Sequence, residues 1–243
     1  MTMQTTRETI DHYWAATFGC QPADLYQPNL MVVRHVALQG YQGAYLFRRG
    51  PSCVMSVPEA LVEAVSMAVR GHTPDEVFDP QFLVHGFGSA VGKFVGPTWQ
   101  GYADSTDFQA ADSSSVRQLG PSDEAILRGL EGACGEAEWE QSGLDPYREP
   151  LFGAFLAGGE LAAAGTAEIR DDPFLDVGVL THPAYRNHGH GRAIVCAATE
   201  YGLGQGHIMH FQALRANLPA LALARALGYQ EYAATLAVRL SRI

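Results

Sequence analysis

Two hydrophobic periods run along the chain, and the switches between them mark its predicted elements. Between Gly40 and Val57 the apolar positions fall in two short runs, AYLF and CVMSV, around Arg49-Gly50-Pro51-Ser52, which predicts two strands joined by a turn. A helix is predicted next. Ser56 and Glu59 stand at capping-box spacing, Pro58 occupies the first turn, and Gly71 ends the run PEALVEAVSMAVRG. Thr73-Pro74-Asp75-Glu76 reads as a second capped start, and the apolar run Gln81 to His85 as a strand. In GFGSAVG, Gly86 to Gly92, the third glycine falls one position late for a dinucleotide fingerprint, so the segment reads as a structural loop.

Apolar periodicity vanishes from Asp104 to Val116, where small polar residues cluster in STDFQAADSSSV. A domain boundary or long connection is placed there, dividing the chain into 1–115, a mixed α/β domain of unassigned role, and 116–243. In the second part Val116 to Leu119 reads as a short strand. Ser122 then caps a helix reaching Cys134, with Ile126, Leu127 and Leu130 on one face, and a further helical segment carries Glu138, Trp139 and Glu140. Strands follow at Leu151 to Leu156, Leu161 to Ile169 and Phe174 to Leu180, the middle one weak because it is rich in alanine and glycine. A helix starting near Gly191 offers Ile194, Val195, Ala198 and Tyr201 to the core, and His207 to Leu214 reads as the next strand. No internal repeat is legible.

Composition narrows the function. With 16 Lys and Arg against 26 Asp and Glu, the net charge of −10 gives no basic footprint for nucleic acid. The acidity suits a cationic substrate such as an amine, although its first effect is solubility. The start, MTMQTTRETIDHYW, lacks a signal-peptide pattern, and no apolar stretch reaches membrane-spanning length, so a soluble, cytoplasmic protein is expected. The cysteines, Cys20, Cys53, Cys134 and Cys196, form no CxxC pair and are expected as reduced thiols. The histidine pairs His188/His190 and His207/His210 lack the carboxylate or cysteine companions of a metal site, so no metal is expected.

The chemistry concentrates in DVGVLTHPAYRNHGHGRAIVCAATEYGLGQG, Asp176 to Gly206. Here a strand runs into a glycine loop and then a helix, whose unpaired N–H groups and positive dipole end suit an anion. Physics alone leaves this as any phosphate-binding turn or a glycine-rich helix entry. The run V-x-x-x-P-x-Y-R-x-x-G-x-G, on Val179, Pro183, Tyr185, Arg186, Gly189 and Gly191, resembles the acetyl-CoA motif of the GNAT superfamily of N-acetyltransferases, and Asp176 and Val179 match its D-x-x-V spacing. Downstream, Asn217, Ala220, Leu223, Gly228 and Tyr229 resemble the N-x-x-A-x-x-L segment and the Gly-aromatic pair of that family. The likeness spans about Val116 to Ile243; residues before it are read as a degenerate second GNAT-like unit or an unrelated cap.

The resemblance implies a GNAT fold with a mixed sheet whose strands around Val177 and Phe211 splay to admit the pantetheine arm of acetyl-CoA. Backbone groups of Val177, Val179, Leu180 and Thr181 would pair with that arm. Arg186, Asn187, His188, Gly189, His190, Gly191 and Arg192 would hold the pyrophosphate, and Asn217 would lie near the thiol. It further implies acetyl transfer to a primary amine of a small molecule or peptide, and a homodimer. An alkylammonium titrating near 10.4 must lose a proton before it attacks the thioester. Glu138, Glu140, Glu168 and Asp176 are the candidate bases, with Glu138 and Asp176 leading, and the Val177 N–H is the candidate oxyanion donor. The position that often holds the family's acid tyrosine is Ala224. That departure keeps a rival reading open, a non-catalytic acyl-CoA-binding regulatory module. A third, a nucleotide-binding protein, lacks the P-loop lysine.

Overall fold

The structure is a computed structural model and describes residues 3–147 and 150–240. It divides into two compact units. The first consists of Thr2–Gln100, Ala213–Ala216 and Tyr232–Ile243, and the second of Gly101–Gln212 and Asn217–Glu231. Along the chain the elements are α1 (Met3–Phe18), β1 (Leu30–Arg34), β2 (Gly43–Arg49), β3 (Ser52–Val57), α2 (Val62–Ala68), α3 (Pro74–Val77), α4 (Pro80–Phe87) and β4 (Val91–Ala103). Then come β5 (Val116–Leu119), α5 (Glu124–Cys134), α6 (Glu136–Ser142), β6 (Leu151–Phe155), β7 (Leu161–Asp171), β8 (Phe174–Thr181), α7 (His190–Gly204), β9 (Ile208–Leu214), α8 (Leu218–Ala226) and β10 (Gln230–Leu240). Parallel and antiparallel pairings both occur, so the fold is mixed α/β, as expected. Among the described residues no helix is long and apolar enough to cross a membrane.

In the first unit the strand order is β1-β3-β2-β10-β4. The predicted hairpin forms, with β2 and β3 antiparallel around Gly50 at φ 50°. β1 joins β3 in parallel, and β10, from the far end of the sequence, pairs antiparallel with β2 from Ala234/Arg48 to Arg239/Gly43. Helix α1 is tied to these strands by one carboxylate. Asp11 accepts from Tyr26 Oη and Tyr232 Oη, each at 2.5 Å, and from the Arg49 guanidinium at 3.2 Å. The guanidinium lies between the rings of Tyr26 and Tyr232, 3.7 and 4.3 Å from their centroids, so the buried charge is both paired and stacked. Burial and the Asp11 carboxylate push the Tyr232 hydroxyl far above the usual tyrosine range.

Two expectations for this unit need correction. Ser56 does not cap a helix: it stays in β3 with its hydroxyl against His35 Nδ1, a 3-10 turn spans Glu59–Leu61, and α2 starts at Val62. The apolar run Gln81 to His85 is helical, not a strand. Asp79 accepts from the Gln81 N–H at 2.8 Å and Pro80 occupies the first turn, a start signal that outweighs a short apolar run. The neighbouring capping box forms as read, with Thr73 Oγ1 accepting from Glu76 N and Glu76 Oε2 from Thr73 N.

In the second unit the order is β9-β8-β7-β6-β5. β5 through β8 are successively antiparallel, and β8 and β9 are parallel across α7. The alanine-rich strand is not weak. Ala162, Ala163 and Ala164 in β7 are fully buried, and a Cβ on Gly165 would come within 2.2 Å of Ile194 on α7. Small side chains are what let α7 lie close on this strand. Ser122 likewise does not cap α5. Asp123 does the local work, accepting from Gly120 N at 2.9 Å and bidentately from Arg117, whose hydrogen bonds hold its carboxyl well below the usual range. Leu127 and Leu130 enter the core, whereas Ile126 and Tyr201 stay partly exposed, at 41% and 37%. The 104–115 connection is irregular, as read, yet anchored: Gln109 N donates to Leu227 O at 2.9 Å, and Ala111 N to Cys196 Sγ at 3.2 Å.

All four cysteines are free thiols. Burial pushes the Cys53 thiol up to about 12, and Cys196 is also buried, while Cys20 and Cys134 are partly exposed. Titration of the native protein with a chromogenic disulfide is expected to modify Cys20 and Cys134 first and Cys53 only on unfolding. Rapid native labelling of Cys53 would contradict its burial.

Candidate acyl-CoA site

The site begins where two parallel strands part. β8 and β9 are paired from Phe174/Ile208 to Asp176/His210, and the shared ladder stops there although β8 continues to Thr181 and β9 to Leu214. The N–H of Ile208 donates to Pro173 O, so Pro173 turns its backbone towards β9. By strand alternation Val177, Val179 and Thr181 face the same way; the last rung, Asp176/His210, engages the Val177 N–H, so the Val177 carbonyl and the backbone of Val179 and Thr181 lie beyond the ladder. Leu180 is the exception among the expected cofactor residues. Its backbone faces β7, where it pairs with Ala164, and its side chain joins the core with Leu127 and Leu130. Thr181 O already accepts from Arg186 Nε at 3.2 Å and lies 3.7 Å from Cys134 Sγ, which leaves Val177 and Val179 as the strand's main offering.

Beyond β8 the chain turns through a short 3-10 segment, Pro183–Tyr185, where His182 Nδ1 accepts from Ala184 N. Two residues then take left-handed backbone conformations, Asn187 at φ 65° and Gly189 at φ 87°. Gly189 serves as N-cap of α7 without a side chain in the way. The first N–H of this stretch with a backbone acceptor is that of Ala193, on Gly189 O; those of Asn187 to Arg192 meet none among the described residues. Gly191 is required for another reason. A Cβ there would stand 2.9 Å from Thr181 Oγ1 and 3.6 Å from Leu223, so the helix start presses on β8. His188 and Arg192 are exposed and His190 partly so, with the His188 and His190 ring centroids 6.4 Å apart. Such a row of unpaired donors with two glycines fits a pyrophosphate.

The expected side chains divide between two places. Glu138, on α6, is at the loop: its carboxylate accepts from Arg186 at 2.6 Å. Asp176 is at the fork. Its Oδ1 accepts from His210 Nδ1 at 2.5 Å and its Oδ2 from Arg170 at 2.9 Å, while Tyr102 lies against the imidazole, centroids 4.6 Å apart. Burial pushes the Asp176 carboxyl up, but His210 and Arg170 together outweigh it and hold the group below the usual carboxylate range. Glu168 is the cross-strand partner of Asp176 and so shares its face of the sheet. Glu140 is exposed at the outer face of α6. Asn217 caps α8, its Oδ1 accepting from Ala220 N at 3.3 Å.

His210 and Arg170 were missed as partners of Asp176, and Tyr102 as the ring against His210. One signal was available: Asp176 and His210 are each the third residue of a strand flanking the same helix, and a parallel register aligns such positions. At Ala224, buried in α8, there is no hydroxyl to replace the family's tyrosine. No group of residues able to hold a metal occurs among the described residues.

Comparison with known proteins bears on the family and the fold. Residues 122–229 match the profile of the acetyltransferase (GNAT) family. Among solved structures, a GNAT-family protein from Novosphingobium aromaticivorans DSM 12444 superposes with a TM-score of 0.50 at 22% identity, over 63% of this chain and 67% of the other. A GNAT-family acetyltransferase from Colwellia psychrerythraea gives 0.50 at 16% identity, over 63% of this chain and 59% of the other. At these identities the likeness is one of fold. No curated protein matched in the comparison.

Proposed function

We propose, from the match of residues 122–229 to the acetyltransferase (GNAT) family, that this protein transfers the acetyl group of acetyl-CoA to a primary amine by direct attack of the amine on the thioester. The observation that carries the reading is the fork itself: the Val177 carbonyl and the Val179 backbone turn into the gap where the β8/β9 ladder ends, and a loop of unpaired N–H groups follows directly. Val177, Val179 and Thr181 would border the pantetheine arm, and Asn187 to Arg192 the pyrophosphate, with Arg186 adding charge and Asn217 at the thiol end. The cosubstrate supplies an activated carbonyl. The chain supplies the Val179 N–H, the first past the last rung, which would donate to the negative charge that develops on the carbonyl oxygen; the Val177 N–H expected in that role is engaged in the ladder.

Asp176 has a defined part in this scheme. Held anionic throughout neutral pH, it is a weak proton acceptor but a strong counter-ion, so it would draw the cationic amine to the fork and orient it while water takes the proton. Asp176→Asn is expected to lower kcat/KM for the amine about tenfold, short of the ~10²-fold loss typical of removing a well-matched base, with acetyl-CoA affinity nearly unchanged. Because this carboxyl titrates below the usual range, its charge is lost only as pH falls through that lower value. The rise of rate with pH above about 5 should therefore follow the amine and persist in the variant. An acid limb near neutrality that disappears in Asp176→Asn would make Asp176 the base instead.

Calorimetric titration with acetyl-CoA, with ATP and NAD as controls, followed by thiol release across a panel of amines, tests the whole reading. Saturable acetyl-CoA binding with amine-dependent thiol release is expected. Ala224 favours one second reading, a non-catalytic acyl-CoA-binding module, which predicts binding without thiol release.

A further inference from the structure

We infer that the first unit holds a binding site for a small, uncharged, apolar molecule between α2 and α4, over β3. A cavity of about 230 Å³ lies there. Its floor is formed by Met55 of β3, Val65 of α2 and Leu83 of α4, at most 5% exposed. Its rim is formed by Ala64, Ala68 and Gly86, all exposed, so the space opens to solvent along the line where the two helices face each other.

Two properties define the occupant. Every lining side chain is hydrocarbon or thioether, with no side-chain nitrogen or oxygen atom in the wall. A charged or hydrogen-bonding group placed inside would lose its water without gaining a partner, so the enclosed part of the ligand is hydrocarbon. The volume exceeds the ~150 Å³ of an engineered apolar cavity that stays dry and takes benzene. A bicyclic aromatic or a chain of roughly eight carbons is the matching size.

The opening is written into the sequence. Ala64 and Ala68 are one turn apart on the same face of α2, and a Cβ added to Gly86 meets nothing within 4 Å. Any larger aliphatic residue at these positions would narrow the gap and recover packing. Three small residues, contributed by both helices, keep it open. The depth of the floor selects a free chain or ring over a flat protein surface. This inference concerns the first unit alone and does not depend on acetyl transfer.

The full chain should be titrated with 1-octanol by calorimetry and thermal melting, beside Ala68→Leu and Ala64→Val. Saturable binding is expected for the native protein, with a raised melting temperature. Ala68→Leu should weaken it at least tenfold while melting no lower than the native chain; if that variant does not fold, Ala64→Val gives the same reading. No saturable binding by the folded native protein, or undiminished binding by the filled variants, overturns the site. A dimer that dissociates in Ala68→Leu, with no octanol binding, would assign the pocket to a second copy of this chain and also overturn it.

Discussion

Asp11→Ala is expected to destabilise the protein by about 3–5 kcal/mol, the largest stability effect of any single substitution considered. The carboxylate is the shared acceptor for Arg49, Tyr26 and Tyr232, and Asp11 and Arg49 have side chains only 12% and 9% exposed. Its removal leaves a guanidinium in the interior with no countercharge and strips two phenols of their acceptor. The cost is that of the orphaned charge rather than of the hydrogen bonds alone. Urea denaturation measures it, with Tyr26→Phe as comparison, expected to cost about 1 kcal/mol because the ion pair survives. Equal effects of the two substitutions would show that Arg49 finds solvent or another acceptor once Asp11 is gone.

Gly189→Glu is expected to weaken acetyl-CoA binding by at least about 100-fold, roughly 2.7 kcal/mol. Its φ of 87° is one that a residue with a Cβ adopts only under strain, and the new carboxylate would stand among donors arranged for an anion. The fold should survive, since a Cβ there meets nothing within 4 Å. Gly189→Ala separates the two causes by adding the strain, about 1–2 kcal/mol, without the charge. Calorimetry on both variants, with circular dichroism to confirm folding, measures the difference. Unchanged affinity in a folded Gly189→Glu would remove the loop from the cofactor site.

Both predictions draw on residues that sequence reasoning treated very differently. Gly189 was legible because it stands in a local run, Arg186 to Gly191, that resembles the acetyl-CoA motif of the GNAT superfamily. Asp11 was not, because nothing near it in sequence hints at Tyr232, 221 residues away. The same distinction separates the elements. The β2/β3 hairpin, the strands of the second unit and α7 follow from alternation, turn residues and a glycine entry. The run Gln81 to His85 fails because five residues do not distinguish a strand from a helix, and its deciding signal, Asp79-Pro80, precedes it. The alanine-rich β7 was undervalued because propensity says nothing of a helix that needs small neighbours.

The sequence by itself determined the mixed α/β class and the order of elements from β5 to β9, since each rests on patterns within one or two adjacent elements; the loop proposed for acyl-CoA was read from a family resemblance. Only the tertiary structure decided that β10 pairs with β2, that Glu138 holds Arg186, and that His210 and Arg170 flank Asp176 where β8 and β9 part. Those facts depend on strand register and on contacts between segments far apart along the chain. The free energy that selects them comes from burying many side chains at once, which no local pattern encodes.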